Sequence, residues 1–443
     1  MKYQVMKCRV MKCQVMKCQV RSRRDLLKAS VQLAIAGSIG IKTVTAAHGR
    51  QPKARERETF TQVDEVLRNS IARGDVPGIV ALAATDTDII YEGVFGLRRL
   101  PDGPIMTAAT IFRIASMVKL ITSVAAMQLV EQHRLSLDDP VPDIDPALGS
   151  PRVLEGFDAA GKPLLRPAKR PITLRQLLTH TAGFSYRLWD AKAVRYLKAV
   201  DRLPSDAARR APRSPLMFDP GERWQYGPNL NWVGRIVESV SGDPLDVYFR
   251  KHICGPLGMQ DTAFVLSPQQ RVREASVHRR QENGALLALP LERQHAARSF
   301  SGGGGIYSSG PDYLTLIRAL LLGGSINGVR ILRPETAALM GQNQIGGINV
   351  GVLRTTDSAL SEDVDLFPGN ILKWGFGHMI NTEAVPGGRS AGSLTWGGLL
   401  NTYYWIDPNK RIAAVFMTQV LPFADDRVLR TYRRFEQAIY RAF

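Results

Sequence analysis

Apolar residues recur at helical spacing in five stretches of the 443-residue chain. This spacing predicts long helices over residues 59–73, 116–132 and 425–442, with shorter helical patches at 174–178 and 231–240. In the last of the long helices the apolar residues form one stripe, which is typical of a helix lying against a core. Helices are therefore expected at the beginning, in the middle and at the end of the body of the chain.

Strand patterns occur near both ends of this body. Two short apolar runs, 79–84 and 89–95, are separated by four polar residues and predict a hairpin. The β-rich runs 399–406 and 412–418 flank the sequence Asp-Pro-Asn-Lys, which favours a turn. Sheet at both ends with helices in between favours an α+β fold over repeating βαβ units.

The N-terminal part of the chain has the features of a targeting signal followed by a linker. Residues 1–20 form a pentapeptide repeat with three of the four cysteines, and a duplication upstream of the true start is favoured over a metal-binding tract. Residues 21–47 combine Arg23 and Arg24 with a short apolar segment and small residues, as a twin-arginine signal peptide does. The alternative is an uncleaved basic helix. Residues 48–58 are polar and are interpreted as a linker.

Export of the mature protein follows from this interpretation. No other segment is apolar over the roughly 20 residues that a membrane-spanning helix needs. The mature protein is therefore expected in the periplasm or outside the cell, without a stable membrane span. Its oligomeric state is not predicted.

The composition is that of a globular protein, with 44% hydrophobic and 22% charged residues, which excludes a disordered or coiled-coil chain. The formal charge is +18, but the first 47 residues hold ten Lys or Arg and one acidic residue. The remaining chain carries about half of the net charge, and its arginines are scattered rather than gathered into a stripe. A nucleic-acid partner is therefore not expected.

Ser116 and Lys119 form the only Ser-x-x-Lys sequence of the chain, at the start of the predicted middle helix. Residues three apart share a helix face, so the hydroxyl and the amine can meet. A serine hydroxyl needs a neighbouring base, and a lysine serves when burial lowers its pKa. The tetrapeptide is weak evidence when it is taken alone.

Three further segments accompany it in a fixed order: Leu-Leu-Thr-His-Thr-Ala-Gly at 177–183, Pro-Gly-Glu-Arg-Trp-Gln-Tyr at 220–226, and a glycine-rich turn at 302–309. Together with Ser-x-x-Lys they resemble the class C serine β-lactamase-like superfamily, which includes penicillin-binding-protein-like hydrolases, and in particular its carboxylesterase branch. The resemblance runs from about residue 60 to the C-terminus.

The fold that this resemblance implies is an antiparallel sheet flanked by helices, with an inserted helical lobe. The catalytic domain is then expected over residues 59–443. Its sheet would come from about 59–98 and 300–443, and its lobe from about 111–295.

The resemblance also implies roles for individual residues. Ser116 would be the acylated nucleophile, Lys119 its base, and Tyr226 the group that carries the proton to the leaving group. The backbone N–H groups of Ser116 and Leu399 would form the oxyanion hole. Neither a metal nor another cofactor is expected.

The third motif of the family departs from its pattern here. In place of Lys-Thr-Gly the chain has Trp396-Gly397-Gly398, ahead of the strand predicted from Leu399, and these three residues are expected to contact the substrate. A tryptophan offers an apolar face and one N–H donor instead of a charge for a carboxylate. The Tyr-x-Asn pattern is also lost after Tyr226. Both departures favour a neutral ester or amide as the substrate, although Trp396-Gly397-Gly398 could also be an ordinary turn.

The function expected from these observations is the cleavage of carboxylic esters through an acyl-serine intermediate. Three alternatives remain open: a β-lactamase or D-Ala-D-Ala carboxypeptidase, an acyltransferase, and a non-catalytic relative that binds cell wall or another ligand. A Gly-x-Ser-x-Gly sequence at 388–392 is not followed by the histidine that an α/β-hydrolase needs, so it is interpreted as a loop.

Overall fold

The computed structural model describes residues 60–201, 214–291 and 299–443. The predicted repeat at 1–20, the signal peptide at 21–47 and the linker at 48–58 lie outside these residues. The described part of the chain contains an antiparallel sheet with helices on both of its faces, together with several short strand pairs.

Seven strands form the main sheet in the order β11-β12-β13-β14-β15-β1-β2, and all neighbouring pairs are antiparallel. The strands of the described residues are β1 Gly78–Thr85, β2 Ile89–Gly96, β3 Ile111–Arg113, β4 Arg152–Phe157, β5 Pro163–Pro167, β6 His278–Arg280, β7 Leu286–Ala288, β8 Tyr307–Ser309, β9 Ser325–Ile326, β10 Val329–Arg330, β11 Leu372–Trp374, β12 Met379–Asn381, β13 Leu394–Gly398, β14 Thr402–Asp407, β15 Ile412–Met417 and β16 Val420–Leu421. The main sheet is thus built from two distant parts of the chain, as the strand patterns predict.

The five predicted helices are present with small shifts at their ends, and the described residues contain five further helices that were not predicted. In the described residues they are α1 Thr61–Ala72, α2 Val118–Glu131, α3 Leu174–Leu178, α4 Ala191–Val200, α5 Asn229–Ser241, α6 Leu245–Phe249, α7 Pro268–Arg271, α8 Gly310–Leu321, α9 Pro334–Met340 and α10 Asp426–Ala442. Short 3₁₀ turns lie at Ala115–Met117, Val141–Asp143, Pro146–Leu148 and Arg187–Trp189, and a π-turn lies at Arg250–Cys254. The predicted α+β fold is confirmed.

Both faces of the central strands are covered, so β1 is buried along its whole length. On one face Val80 and Leu82 lie under α8, which approaches so closely that a Cβ at Gly310 would come within 2.9 Å of both side chains. On the other face Trp405 and Phe416 contact Phe435 of α10. Alternate residues of the same strand point to opposite faces of the sheet, so each central strand packs against apolar side chains on both faces.

The middle helix differs from its prediction in two ways. Ser116 does not lie in the α-helix but in the 3₁₀ turn Ala115–Met117 that precedes it, and α2 begins at Val118. All residues of α2 up to Leu129 are buried, so the helix does not turn a single apolar stripe towards the core. A helix that is apolar all round lies inside a protein, and this one brings Lys119 into the interior with it.

The strand predicted from Leu399 is wrong at its start. Residues 399–401 form the turn of a hairpin in which Gly398 pairs with Thr402, and β14 begins only at Thr402. Asn401 supports this turn in the left-handed conformation, with φ 62°, and its amide donates to the carbonyls of Val420 and Pro422. Trp396, Gly397 and Gly398 therefore lie at the end of β13 and are not a turn.

Across the described residues, none of the helices combines the length and the apolar character that crossing a bilayer requires.

Candidate active site

Ser116 is presented by a strained turn between β3 and α2. Ala115, directly before it, has a left-handed φ of 44°, which a residue with a side chain rarely adopts. The end of β13 packs against this turn, since a Cβ at Gly398 would lie 2.3 Å from the carbonyl oxygen of Ile114. The close approach explains why a glycine is needed at 398, and it brings the end of β13 beside the serine.

Lys119 lies one turn further on, and its amine contacts the serine. Its Nζ is 3.1 Å from Oγ of Ser116 and donates to the carbonyl oxygen of Gly303 at 2.7 Å. The side chain is buried. Burial disfavours the charged amine and lowers the pKa of Lys119 to about 7. A large fraction of these amines is therefore neutral near pH 7 and able to accept a proton.

Tyr226 is the third side chain at this contact. Its phenolic oxygen accepts a hydrogen bond from Nε1 of Trp396 at 3.1 Å and is also hydrogen bonded to the hydroxyl of Ser116. Its ring lies 5.0 Å from Nζ of Lys119. Burial, and secondly the neighbouring Tyr186, raise the pKa of Tyr226 well above its usual value, so the group stays a neutral phenol. The pKa values of the amine and the phenol are thus shifted in opposite senses.

The glycine-rich turn forms one wall of the site. A Cβ at Gly302 would lie 2.3 Å from the carbonyl oxygen of Leu230, so α5 leaves no room for a side chain there. Oγ1 of Thr122 donates to the carbonyl of Gly302 at 2.7 Å. These contacts fix the adjacent carbonyl of Gly303, which accepts from Lys119.

The three side chains meet beside a cavity of about 310 Å³. No residue that lines it in the described part of the chain is charged, and its lining comprises Ala115, Ser116, Tyr186, Leu188, Trp189, Tyr226, Gly303, Gly304, Gly305, Trp396, Gly397, Leu399 and Phe423. A larger cavity of about 540 Å³ lies near Phe249 and Phe264, but neither Ser116 nor Tyr226 lines it. Chemistry and not size therefore identifies the candidate site.

Most of the residues expected at the site lie there. Ser116, Tyr226, Trp396, Gly397 and Leu399 line the cavity, and Lys119 lies behind Ser116. Gly398 is not among the lining residues, because it faces the carbonyl of Ile114. Catalysis by these residues, and an oxyanion hole formed by the backbone of Ser116 and Leu399, stay predictions.

The sequence singles out neither Tyr186 nor Phe423, which form aromatic walls of this cavity together with Trp189. Tyr186 and Trp189 come from the segment after α3, and Phe423 comes from the segment after β16. The Trp189 ring contacts the rings of Tyr186 and Phe423, and it lies 5.5 Å from the ring of Tyr226. No local spacing marks these residues, since they meet only through the tertiary fold.

The Gly-x-Ser-x-Gly sequence at 388–392 forms a loop that contacts α10 and β14. Arg389 is buried and forms an ion pair with Glu436 of α10 at 2.6 Å. The backbone N–H of Ser390 donates to Asp407 at 2.8 Å. The loop is therefore held in place on α10 and β14, away from the cavity that contains Ser116.

Comparisons with known proteins place the chain in a family. The family model described as Beta-lactamase matches residues 63–439. The ML-236A carboxylate methylbutanoyltransferase of Penicillium citrinum is 31% identical over 86% of this chain and 94% of the relative. The lovastatin esterase of Penicillium rubens is 32% identical over 86% of this chain and 98% of the relative.

Among solved structures, the unliganded simvastatin synthase LovD of Aspergillus terreus superposes with a TM-score of 0.74. It is 29% identical and covers 86% of this chain and 98% of its own. Together with the family match, these relatives confirm the predicted fold and an enzyme of the serine hydrolase class. The chain belongs to the Beta-lactamase family.

Proposed function

We propose that the protein is an exported serine hydrolase that cleaves neutral carboxylic esters through an acyl intermediate on Ser116. The observation that carries the proposal is the contact of one serine hydroxyl with a buried amine and with a buried phenol. This contact lies beside a cavity whose described lining holds no charged side chain. A binding protein has no need of such an arrangement, so the proposal disfavours a non-catalytic relative.

In the acylation step, Oγ of Ser116 attacks the ester carbonyl and its proton passes to the neutral amine of Lys119. The oxyanion that develops is stabilised by the backbone N–H groups of Ser116 and Leu399. When the tetrahedral intermediate collapses, the bond to the alcohol oxygen breaks and Tyr226 gives that oxygen its proton. Lys119 then returns a proton to Tyr226, and the acyl group remains on Ser116.

Deacylation reverses these roles. A water molecule or an alcohol attacks the acyl carbonyl, and its proton passes through the phenol and the amine as the bond to Oγ breaks. Ser116 recovers its hydroxyl proton, so the residues end in their starting state. Since the relatives carry the names of both an esterase and acyltransferases, an alcohol is a second candidate acceptor. The aromatic walls of the cavity favour an apolar alcohol in that place.

Trp396 supports a neutral substrate. Its indole N–H is used by the phenolic oxygen of Tyr226, and its side chain brings no positive charge to the cavity. A penicillin or a cell-wall peptide carries a carboxylate, which is costly to bury without a charged partner. We therefore expect a lower kcat/KM for β-lactams and D-Ala-D-Ala peptides than for simple esters.

The function is tested by comparing p-nitrophenyl and alkyl esters with a chromogenic cephalosporin on the purified protein. We expect kcat/KM for the esters to exceed that for the cephalosporin by at least about 10²-fold, since the site lacks a charge for the carboxylate. Adding a primary alcohol should divert part of the product to a new ester if acyl transfer also occurs. Faster turnover of the cephalosporin would overturn the assignment, and the absence of a fluorophosphonate adduct on Ser116 would support a non-catalytic relative.

The pH profile should show the titration of the amine. Lys119 accepts a proton only in its neutral form, and its pKa is about 7. We therefore expect kcat/KM for an ester to rise tenfold per pH unit below about 7 and to level off above it. Because the pKa of Tyr226 is raised, no fall due to its ionisation is expected below pH 10. A profile that is flat between pH 5 and 8 would show that another group is the base.

Export is the part of the proposal that rests on sequence alone, on Arg23 and Arg24 and the apolar segment behind them. Fractionation of the native cells should place the mature protein outside the cytoplasm. Retention of wild-type protein in the cytoplasm would contradict this part and leave the chemistry untouched.

A further inference from the structure

One buried histidine holds the backbone on both sides of Tyr226. The carbonyl oxygen of His180 accepts from the N–H of Gln225 at 2.9 Å, and Nδ1 of its ring accepts from the N–H of Gly227 at 3.5 Å. Its ring lies 4.7 Å from the ring of Tyr226. The residues directly before and after the tyrosine are thus fixed by the same side chain and its own backbone.

The hydrogen bonds determine which ring nitrogen of His180 carries the proton. The N–H of Gly227 can only donate, and Nδ2 of Asn229 reaches the same Nδ1 at 2.9 Å. Nδ1 is therefore the acceptor, and the proton is on Nε2. Burial, and secondly the charge of Lys119, lower the pKa of His180 well below its usual value. The ring stays neutral, so Nδ1 remains an acceptor for Gly227 at all working pH values.

Packing alone does not account for a histidine at this position. Nε2 is buried and has no hydrogen-bond partner among the described residues. A buried polar atom without a partner costs about 1–3 kcal/mol, which an apolar side chain would avoid. His180 also has a left-handed φ of 57°, which adds to the cost. The contribution that offsets these costs is the acceptor Nδ1.

We propose that His180 is a positioning residue, which sets the orientation of the Tyr226 phenol for proton delivery to the leaving oxygen. The inference rests on the proposed function. His180 holds the backbone of the tyrosine, while Nε1 of Trp396 holds its hydroxyl at 3.1 Å. The carbonyl of Tyr226 is fixed as well, because it accepts from the N–H of Tyr186 at 3.1 Å. If the backbone were released, the ring would pivot about its hydroxyl, and the phenol would no longer be oriented towards the leaving oxygen.

A residue that acts through Tyr226 should affect esters according to their leaving groups. A p-nitrophenolate leaves without a proton, whereas an alkoxide has to be protonated as it leaves. Loss of the orientation of the phenol should therefore lower kcat/KM for alkyl esters and spare kcat/KM for p-nitrophenyl esters. This constant reports the acylation step, so it excludes deacylation, in which the phenol acts on both classes of ester. A general disturbance of the fold would lower both rates together.

The test compares His180→Leu, which has no acceptor, with His180→Asn, whose Oδ1 lies close to the position of Nδ1. Asparagine also tolerates the left-handed backbone. Rates are expressed per active site titrated with a fluorophosphonate, so unfolded molecules are not counted. We expect His180→Leu to lower kcat/KM for an ethyl ester by about 10²-fold, the lower range of general acid catalysis. Its effect on p-nitrophenyl esters should stay below about 3-fold, and His180→Asn should recover most of the loss.

A double-mutant cycle with Tyr226→Phe separates positioning from structure. If His180 acts through the phenol, His180→Leu should cost little further activity in the Tyr226→Phe background. Equal losses on both classes of ester, no recovery with asparagine, or full additivity of the two substitutions would each overturn the inference. If His180→Leu does not fold, His180→Phe keeps a ring without the acceptor and takes its place.

The proposed function fails in a different way. If the wild-type protein turned over no ester and Ser116 took no fluorophosphonate, the function itself would be refuted. Wild-type turnover with a His180→Leu loss that is independent of the leaving group refutes only the positioning role.

Discussion

Replacing Ser116 with alanine is expected to reduce ester turnover by at least about 10⁴-fold, to the level of the uncatalysed reaction with a bound substrate. The substitution removes the atom proposed to form the covalent intermediate, and in the described part of the chain no other hydroxyl is hydrogen bonded to Nζ of Lys119. The side chain is small and its hydrogen bonds in the site are with Lys119 and Tyr226. The free energy of unfolding should therefore change by less than about 1 kcal/mol.

Ser123 supplies a matched control on the buried helix α2, which follows the turn that holds Ser116. Its Oγ is buried without a hydrogen-bond partner among the described residues, and Ser123 does not line the cavity that contains Ser116. Ser123→Ala is expected to keep the rate within about twofold, because it removes a hydroxyl from α2 without touching the site. Mass spectrometry after fluorophosphonate treatment should find the adduct in the wild type and in Ser123→Ala, and not in Ser116→Ala. Labelling or turnover that survives in Ser116→Ala would refute the nucleophile.

The elements with strong periodicity could be predicted from the sequence. The hairpin β1–β2 and the helices α1 and α10 appear within a few residues of their predicted bounds, because each presents a regular apolar face to the core. The strands β11 and β12 were not predicted. Each has three residues, which is too short for an alternating pattern to stand out, and the neighbouring strand of the sheet supplies the register.

The hairpin between β13 and β14 shows how a local pattern can mislead. Residues 399–406 are nearly all apolar and predict one strand, yet the chain turns at Asn401. The turn depends on contacts with residues about twenty positions later, the carbonyls of Val420 and Pro422, which no window of local sequence contains. The same turn places Leu399 beside Ser116 in the cavity lining, while the predicted strand begins only at Thr402.

The sequence predicts those residues of the candidate site that are close together along the chain better than those that are far apart. Ser116 and Lys119 are three residues apart, and this spacing predicts their contact, although Ser116 lies in the 3₁₀ turn directly before α2 and not in the helix itself. Tyr226 could be placed only by resemblance, since 107 residues separate it from Lys119. The contribution of His180 to the orientation of the phenol could not be predicted, because the sequence does not show which nitrogen of a buried ring faces Gly227.

Replacing Lys119 with methionine is expected to slow acylation by about 10²–10⁴-fold, which is the usual contribution of a general base. Methionine is chosen because its side chain has a similar volume. The second effect is on stability. Because the pKa of Lys119 is lowered to about 7 in the folded protein, the unfolded chain binds one more proton between about pH 7 and the usual lysine pKa of 10.5. The stability of the wild type should therefore rise with pH in this window, and this contribution is absent from the methionine variant.

The difference in unfolding free energy, variant minus wild type, should fall steadily from pH 7 to pH 10. The expected fall is roughly 4 kcal/mol, because each pKa unit corresponds to about 1.36 kcal/mol. Urea unfolding of both proteins at several pH values measures this difference, and other titrating groups cancel because they are common to both. Lys198→Met, at an exposed position on α4, is the control and should change neither the acylation rate nor the pH dependence of unfolding. If Lys119→Met lost its activity but the difference stayed constant with pH, the amine would be charged in the folded protein. It could not then be the base that takes the proton of Ser116.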